Sequence, residues 1–259
     1  MAYKTVLYSG SDNVATIVLN RPDKRNAISY ELIHDLLAAL KQAAASPAQI
    51  VILTGSGTAF CAGMDMDNLR QLIGRSDEQN LKDSQTMAGL FRSLYDFPKT
   101  TIAAVNGPAL AGGTALATLC DFTLAAPEAK FGYTEVKIGF VPGIVSSYLI
   151  SNVGEKRARE LLLTGRIFGA EEARELGLVT EIVPLQQLLH RAQELARQLL
   201  ENSPASLRVT KALLAGFSKD QMDRQIARAV KENAAIRQTA DFKEGITAFL
   251  ERRKPKWTS

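Results

Sequence analysis

The segment TIAAVNGPALAGGTALATLC (Thr101–Cys120) decides the fold of this chain. Thr101–Gly107 has the apolar composition of a buried strand, and the residues that follow Ala111 have that of a helix. Two adjacent glycines, Gly112 and Gly113, open that helix, although each glycine costs about 1 kcal/mol in a helix relative to alanine. Backbone N–H groups without side chains at a helix start allow an anion to approach closely. The segment therefore predicts a strand–turn–helix unit with a ligand at its turn.

Other strand patterns lie on both sides of this segment. Val14–Asn20 alternates and is rich in β-branched residues, and Gln49–Gly55 is almost wholly apolar. Asp121–Ala126 predicts a further strand after the glycine pair. Apolar strands that alternate with helices are typical of parallel sheets buried on both faces. We therefore expect an α/β core with parallel strand pairing.

Helix signals fall between these strands. Ser29 is placed to cap a helix whose leucine and isoleucine residues share one face. A second helix is expected from about Met66. Ile73–Asn80 is polar and contains a glycine, which predicts a mobile linker, and another helix is expected over Leu81–Tyr95.

The pattern changes after about Pro184, where long helical stretches such as Leu188–Leu200 follow without a strand between them. We therefore divide the chain into an α/β core, residues 1–195, and a C-terminal helical region, residues 196–259. Helices of this kind pack on the core, mediate assembly, or do both.

Composition excludes several classes of protein. The 259 residues are 46% hydrophobic and 22% charged, as in an ordinary globular protein. No stretch is long and apolar enough for a membrane span, and the first residues lack the apolar core of a signal peptide, so we expect a cytoplasmic location. Two cysteines and two histidines provide neither a disulfide framework nor a metal motif. We expect no metal and no cofactor of the protein's own.

The formal net charge of +4 permits an anionic partner without requiring one. The basic residues are scattered, apart from a cluster in Glu251–Trp257. A nucleic-acid-binding surface more often has a basic stripe with interleaved aromatic residues, which is not found here. A small phosphate-bearing ligand is therefore a better candidate than a nucleic acid.

Two loops that contain glycine each follow a buried strand and precede a helix. They are Cys61–Asp65 (CAGMD) and Ala111–Gly113 (AGG). Ligands of open α/β sheets bind at the carboxyl ends of the strands, where both loops belong. Two N–H groups that converge from such loops would form an oxyanion hole, each worth about 3 kcal/mol in the transition state. The alternative is that the glycines only let the helix pack closely on a strand.

Longer motifs resemble the crotonase superfamily, also called the enoyl-CoA hydratase/isomerase family, over nearly the whole chain. The motifs are LNRPDKRNAIS (Leu19–Ser29), AFCAGMD (Ala59–Asp65), IAAVNGPALAGG (Ile102–Gly113), DFTLAAPEAKFGYTEVKIGFVPG (Asp121–Gly143), LLLTGRIFGAEEARELGLVTEIV (Leu161–Val183) and KEGITAFLERRKP (Lys243–Pro255). The resemblance implies a crotonase-like spiral of ββα units followed by a C-terminal helical trimerisation region. It also implies an acyl-CoA thioester substrate whose carbonyl oxygen lies between two backbone N–H groups, and an assembly that is a homotrimer or a dimer of trimers.

The resemblance assigns roles to individual positions. The two donors fall on Met64 and Gly112, so the first glycine of the pair would let the thioester oxygen lie against bare backbone. Positions that match the family's CoA contacts, or lie beside them, are Lys24, Arg25, Asn26, Ala27, Ala62, Asp65, Phe249 and Arg252. Phe249 and Arg252 match positions that reach the CoA of a neighbouring subunit. For the basic residues, ordinary surface charge is the alternative.

The acid–base groups depart from the hydratase pattern. Hydratases of the family usually carry a glutamate shortly after the second loop, and Ala115 occupies that position in GGTAL. The family's later glutamate is present in FGYTE as Glu135. A carboxylate beside an apolar acyl pocket has its charged form disfavoured, which tunes it towards use as a base near neutral pH.

An active site with one glutamate suits a different reaction from an active site with two. Moving a double bond from the 3- to the 2-position needs one base, whereas hydration usually shares its proton transfers between two carboxylates. Isomerisation by Glu135 is therefore slightly favoured. The alternatives are a hydratase in which Asp65, Asp67 or Tyr133 replaces the missing glutamate, another enolate reaction such as decarboxylation, and a non-catalytic acyl-CoA- or RNA-binding homologue. Cys61 lacks a nearby histidine motif that would make it a nucleophile.

Overall fold

The computed structural model describes residues 3–258, which form two β-sheets surrounded by helices. The strands are β1 (Val6–Ser11), β2 (Val14–Leu19), β3 (Ile50–Gly55), β4 (Thr100–Val105), β5 (Ala109–Leu110), β6 (Phe122–Ala125), β7 (Lys130–Gly132), β8 (Ile167–Gly169) and β9 (Glu181–Ile182). The helices are α1 (Tyr30–Ala45), α2 (Met66–Leu72), α3 (Asp77–Tyr95), α4 (Gly112–Thr118), α5 (Gly143–Thr164), α6 (Ala170–Glu175), α7 (Leu188–Leu200), α8 (Pro204–Phe217), α9 (Lys219–Ala235) and α10 (Ala240–Leu250).

The larger sheet has the strand order β1-β2-β3-β4-β6-β9. All of its neighbouring strands are parallel except β1 and β2, which form an antiparallel hairpin. The hairpin was not expected from the sequence. Its turn consists of Asp12 and Asn13, which adopt positive φ angles of 50° and 63°, as a two-residue turn between twisted strands requires. The predicted parallel pairing of the other strands is confirmed.

The smaller sheet has the order β5-β7-β8. Successive stretches of chain supply one strand to each sheet and then a helix, as in β4, β5 and α4, or β6, β7 and α5. This repetition is the expected spiral of ββα units. Single bridges between Cys61 and Ala109 and between Ile28 and Met64 extend the smaller sheet towards the loops that follow β2 and β3.

The predicted helix starts agree with local capping, with one correction. The Ser29 hydroxyl accepts a hydrogen bond from the Leu32 N–H at the start of α1. The helix expected from Leu81 begins at Asp77, because Ser76 and Gln79 cap it reciprocally. Half of the linker predicted over Ile73–Asn80 is therefore helical.

The C-terminal helices differ in how they contact the core. The predicted division at residue 195 lies inside α7, whose buried Leu188, Ala192 and Ala196 pack against the larger sheet. By contrast, α8 buries none of its residues. Helices α9 and α10 return to the core, where α9 packs on α3 and α5, and α10 packs on α2 and on the Glu135–Ile138 turn.

A buried polar cluster joins α9 to α3. Arg237, just after α9, donates from Nη2 to the Asn233 Oδ1 at 2.9 Å and to the Ser84 Oγ at 3.2 Å. Its Nη1 lies 2.6 Å from the Asp83 carboxylate. The Arg237 guanidinium also stacks over the ring of Phe140, 5.2 Å from its centre. The cluster fixes the C-terminal helices against the wall of the cavity described next.

Candidate active site

The loop after β3 leaves the Met64 amide free. The Ile28 N–H donates to the Gly63 carbonyl at 2.7 Å, and the Asp65 N–H donates to the Ile28 carbonyl at 3.0 Å. In a parallel bridge of this kind the flanking residues bond to Ile28, and the amide of Met64 itself points away. Within residues 3–258 it donates to no other atom, and Met64 lines a cavity.

The loop before α4 leaves the Gly112 amide free in a different way. The Ala111 N–H donates to the Gly132 carbonyl at 2.7 Å, which anchors the loop to β7. Ala111 has φ 49° and ψ −121°, a backbone conformation that costs about 1–3 kcal/mol for a residue with a side chain. Gly112 then begins α4, where first-turn N–H groups lack helical acceptors. Like Met64, it lines the cavity.

Gly112 and Gly113 occupy different surroundings, and a side chain would have a different effect at each position. A Cβ atom at Gly113 would lie 2.1 Å from the Cys61 carbonyl oxygen, so only glycine lets α4 pack on the first loop. A Cβ atom at Gly112 would meet side chains, 3.0 Å from the Cδ1 of Ile28 and 3.4 Å from the Cζ of Phe91. Close packing therefore accounts for Gly113, whereas Gly112 borders the cavity.

The cavity has a volume of about 120 Å³ and an apolar wall. Among the described residues that line it, Glu135 is the only ionisable one. The wall is contributed by the two loops, by α3, by α9 and by the start of α5. Its members include Met64, Met87, Phe91, Gly112, Phe140, Ile144, Val145, Asn233 and Phe249.

Glu135 is buried and its second carboxylate oxygen, Oε2, has no hydrogen-bond partner within the described part of the chain. It begins the short 3₁₀ turn Glu135–Ile138, which closes when the Phe140 N–H donates to the Glu135 carbonyl at 3.0 Å. Burial raises the pKa of this carboxyl to about 7. A carboxylate with this pKa is suited to accept a proton near neutral pH.

The alanine at position 115 leaves α4 without a carboxylate. Ala115 is buried in the first turns of α4 and is not among the residues that line the cavity. Next to Gly112, at the start of α4, the cavity is bordered by apolar side chains that include the ring of Phe91.

The three residues considered as substitutes for the missing glutamate do not line the cavity either. Asp65 caps α2, accepting from the Asp67 N–H at 2.8 Å, and forms an ion pair with Arg21 at 2.8 Å. Asp67 is exposed. The buried Tyr133 hydroxyl lies 3.4 Å from the Thr118 hydroxyl, and burial raises the pKa of Tyr133.

The candidate CoA-binding loop runs beside the Met64 loop. The Ala62 N–H donates to the Arg25 carbonyl at 3.0 Å, and Ala62 lines the cavity. Lys24 and Arg25 are exposed, and Lys24 lies 3.8 Å from Asp67. The structure therefore places the backbone of Arg25 beside Ala62 of the cavity wall.

Two members of the predicted CoA set are buried in that loop. The Asn26 amide nitrogen donates to the carbonyls of Ser56 at 2.9 Å and Ala59 at 2.8 Å, which ties the loop to the end of β3. The Ala27 carbonyl accepts from the Arg21 guanidinium at 2.6 Å. The Asn26 side chain and the Ala27 carbonyl thus hold the loop in shape, and the exposed Lys24 and Arg25 side chains remain for a ligand.

One of the two C-terminal candidates lines the cavity of its own chain. Phe249, at the end of α10, lines the mouth and is partly exposed. Arg252 follows in a left-handed conformation with φ 55° and is exposed. Phe249 thus lines the cavity of its own chain, and its contact with the CoA of a neighbouring subunit stays a prediction.

Several wall residues were missed by sequence reasoning. Met87, Phe91 and Asn233 lie on helices whose patterns predicted only packing faces, and no motif marks them.

Cys61 is fully buried, and burial raises the pKa of its thiol to about 12, so the reactive thiolate is not accessible. Over residues 3–258, no group of histidine, cysteine, aspartate or glutamate residues could hold a metal ion. Nor does any helix in that range have the length and apolarity to cross a membrane.

Comparisons with known proteins agree on one family. Residues 9–259 match the sequence model described as enoyl-CoA hydratase/isomerase. A putative enoyl-CoA hydratase of Thermus thermophilus is 46% identical over 246 residues, covering 95% of this chain and 97% of that protein. A crotonyl-CoA hydratase of Syntrophomonas wolfei is 33% identical, with 100% of both chains covered. The crystal structure of an enoyl-CoA hydratase/isomerase from Xanthobacter autotrophicus Py2 is similar with a TM-score of 0.90 and 31% identity, again covering 100% of both chains.

Proposed function

Because this chain belongs to the enoyl-CoA hydratase/isomerase family, or crotonase superfamily, we propose that it moves the double bond of a 3-enoyl-CoA thioester to the 2-position, with Glu135 as the single base. The observation that carries this proposal is the cavity wall. Two free backbone amides and one buried carboxylate meet there, and no second ionisable side chain from the described residues lines it.

The reaction follows from these three groups. The thioester oxygen accepts hydrogen bonds from the amides of Met64 and Gly112. The Glu135 carboxylate removes a proton from C2, and the electron pair of that C–H bond passes through the carbonyl to form a dienolate. The two amides stabilise its oxygen, each by about 3 kcal/mol. The Glu135 carboxyl then delivers the proton to C4, which places the double bond between C2 and C3 and restores the carboxylate.

The apolar wall favours this reaction over hydration. Hydration requires a water molecule that is oriented for attack and a proton that is delivered to C2. Two carboxylates normally share these proton transfers. Ala115 supplies none, and Asp65, Asp67 and Tyr133 do not line the cavity. Hydration of a 2-enoyl-CoA nevertheless stands as the second candidate, because the Thermus and Syntrophomonas relatives are named as hydratases. Glu135 would then have to serve both proton transfers.

The loop beside the cavity supports a site for the CoA part of the substrate. Exposed Lys24 and Arg25 provide positive charge for phosphate groups, and the backbone from Asn26 to Ala27 lies next to Ala62 at the cavity. Phe249 lines the cavity from the end of α10, and the exposed Arg252 follows two residues after that helix. We place the adenosine and phosphate groups along this loop and the acyl chain in the cavity.

The exposed face of α8 supports an oligomer. Val209, Leu213 and Phe217 follow one another at helical spacing and are 59%, 56% and 81% exposed, and Leu214 is 63% exposed beside them. An exposed apolar stripe of this size is typical of a protein–protein interface. We propose that α8 contacts other copies of the chain in a trimer or a dimer of trimers. Light scattering that gives a monomer at micromolar concentration would exclude this assembly.

Two substrates test the reaction. A 3-enoyl-CoA should gain the absorbance of the conjugated thioester when the enzyme is added, and the Glu135→Gln variant should lose this activity while still binding CoA thioesters. Crotonyl-CoA should lose its absorbance slowly or not at all. Rapid hydration of crotonyl-CoA without isomerisation of the 3-enoyl-CoA would overturn the proposal in favour of the second candidate. No turnover of either substrate, with CoA binding intact, would indicate a non-catalytic role.

A further inference from the structure

Helix α10 crosses the turn that carries Glu135 with its backbone in direct contact. A Cβ atom at Gly245 would lie 2.4 Å from both the carbonyl carbon and the carbonyl oxygen of Ile138, and 2.8 Å from the Gly139 nitrogen. In the opposite direction, a Cβ atom at Gly139 would lie 2.3 Å from the Asp241 carbonyl oxygen. These neighbours are backbone atoms, which cannot turn aside as a side chain can. The crossing therefore requires glycine on both sides.

Apolar side chains hold α10 at this crossing. Phe242 and Ile246 are fully buried and pack with Leu69 and Leu72 of α2 in a cluster separate from the main core. The ring of Phe242 also contacts that of Phe140, with the ring centres 5.4 Å apart. Since Phe140 lines the cavity, the cluster connects the position of α10 to the cavity wall.

On the basis of the proposed role of Glu135, we propose that Gly245 is a positioning residue for this base. The missing side chain lets α10 press on the peptide between Ile138 and Gly139, and the contact keeps the Glu135 turn under an apolar wall. The helix would thereby set both the location of the carboxylate and its isolation from water.

No charge on α10 offers a competing explanation. The charged side chains of α10 are absent from the cavity wall; they are Asp241, Lys243 and Glu244, of which Glu244 is paired with Arg253. On the Glu135 turn, Lys137 is exposed. On the strand side, Tyr133 is buried nearby and uncharged.

In the described part of the chain, the other helices that border the cavity also present no charged side chain to it. The residues that α2, α3, α5 and α9 contribute to the wall include no ionisable group, and Arg237 behind Phe140 is paired with Asp83. Helix α10 therefore acts on Glu135 through packing and the exclusion of water.

A matched pair of glycine substitutions tests the proposal. Gly245→Ala must lift α10 from the Glu135 turn, whereas Gly89→Ala adds a Cβ atom to an exposed position of α3 with nothing within 4 Å. For Gly245→Ala we expect kcat for the 3-enoyl-CoA to fall about 10- to 100-fold, since small misplacements of a catalytic group have effects of this size. KM should change less than kcat, because Lys24–Ala27 and Ala62 are untouched and Phe249 is the one member of the predicted CoA set that lies on α10. The pH at which kcat/KM reaches half its maximum should fall, because water admitted to the site stabilises the carboxylate.

The Gly89→Ala variant should keep the kinetics and the pH profile of the wild type. If Gly245→Ala does not fold, Phe242→Leu loosens the same helix without a clash, and it should lower kcat and shift the pH profile in the same direction by smaller amounts. A folded Gly245→Ala or Phe242→Leu variant with wild-type kcat and pH profile would overturn the proposal. Glu135→Gln, measured in parallel, distinguishes a failure of the positioning role from a failure of the base assignment. If it is inactive while Gly245→Ala is unchanged, only the positioning role fails, whereas an active Glu135→Gln removes the base and the positioning role together.

Discussion

The guanidinium of Arg237 lies 2.6 Å from the Asp83 carboxylate, and both side chains are almost completely buried, with 1% and 4% exposed. The contact is an ion pair without the alignment of a hydrogen bond. Without Arg237 the buried Asp83 Oδ2 loses its only charged neighbour among the described residues, while Oδ1 keeps Arg75 at 3.3 Å and the Tyr30 hydroxyl as partners. We therefore expect Arg237→Met to lower the free energy of unfolding by about 3–5 kcal/mol, as measured by urea denaturation.

The control for this prediction is Arg228→Met on α9, whose side chain is 84% exposed and lies 3.9 Å from Glu232. Exposed pairs of this kind contribute little to stability. Equal stability of the Arg237 variant and the wild type would show that the buried pair does not hold α9 to α3.

Two substitutions at Gly112 separate its amide from its size. Gly112→Ala keeps the N–H, and its Cβ atom would meet only the side chains of Ile28 and Phe91, so we expect most of the activity to remain. Gly112→Pro removes the N–H and restrains Ala111, so kcat/KM should fall about 100-fold or more. Both are compared by steady-state kinetics after circular dichroism has confirmed folding. Near-native turnover by a folded Gly112→Pro variant would refute the oxyanion role.

Introducing a carboxylate at position 115 tests whether the site keeps the geometry of a hydratase. Ala115 is buried and does not line the cavity, so we expect Ala115→Glu to lower the free energy of unfolding by at least about 3 kcal/mol without a gain in hydration. Ala115→Gln has nearly the same volume without the charge and should be less destabilised. Crotonyl-CoA hydration by Ala115→Glu above the wild-type rate would instead show that the site keeps hydratase geometry.

The raised pKa of Glu135 links activity and stability to pH in opposite directions. Its pKa of about 7 in the folded protein exceeds the ordinary value of 4.5, so kcat/KM should rise as pH increases through 7 and the base loses its proton. The folded state binds the extra proton, so the contribution of Glu135 to stability is fully present below pH 4.5 and is lost as pH rises through 7. Glu135→Gln, which has no such titration, should therefore gain about 3 kcal/mol over the wild type between pH 4.5 and pH 8.

The measurement is the free energy of unfolding of the wild type and Glu135→Gln across this pH range. Glu128→Gln, at an exposed position, is the control and should show no such gain. A constant difference between Glu135→Gln and the wild type at all pH values would mean that burial does not perturb this carboxyl.

Sequence patterns predicted the elements that depend on local periodicity and capping. Val14–Asn20, Gln49–Gly55 and the Ser29 cap lie within a residue of their observed places. The β1 strand was missed because four of its six residues are exposed in an edge hairpin, where apolar alternation is weak. The start of α3 was misplaced because the capping box at Ser76 was read as a polar linker.

The candidate site could be predicted only in part. Met64, Gly112 and Glu135 lie in motifs, and the structure brings all three to one cavity. The distinct role of Gly113 depends on its distance to the Cys61 carbonyl, which no local pattern encodes. Likewise, Asn233 reaches the cavity because α9 folds back over α3 far along the chain.

The oxyanion site proposed at Met64 and Gly112 would consist of main-chain groups, and this has a consequence for how such an enzyme can evolve. Most codon changes at Met64 alter a side chain and leave the donor in place, so the site tolerates substitutions that would destroy one built from side chains. The proposed proton transfer, by contrast, depends on single side chains, such as the carboxylate of Glu135 and the residue present at position 115. New reactions on the same thioester can therefore arise through one or two substitutions while the enolate-stabilising frame is inherited unchanged.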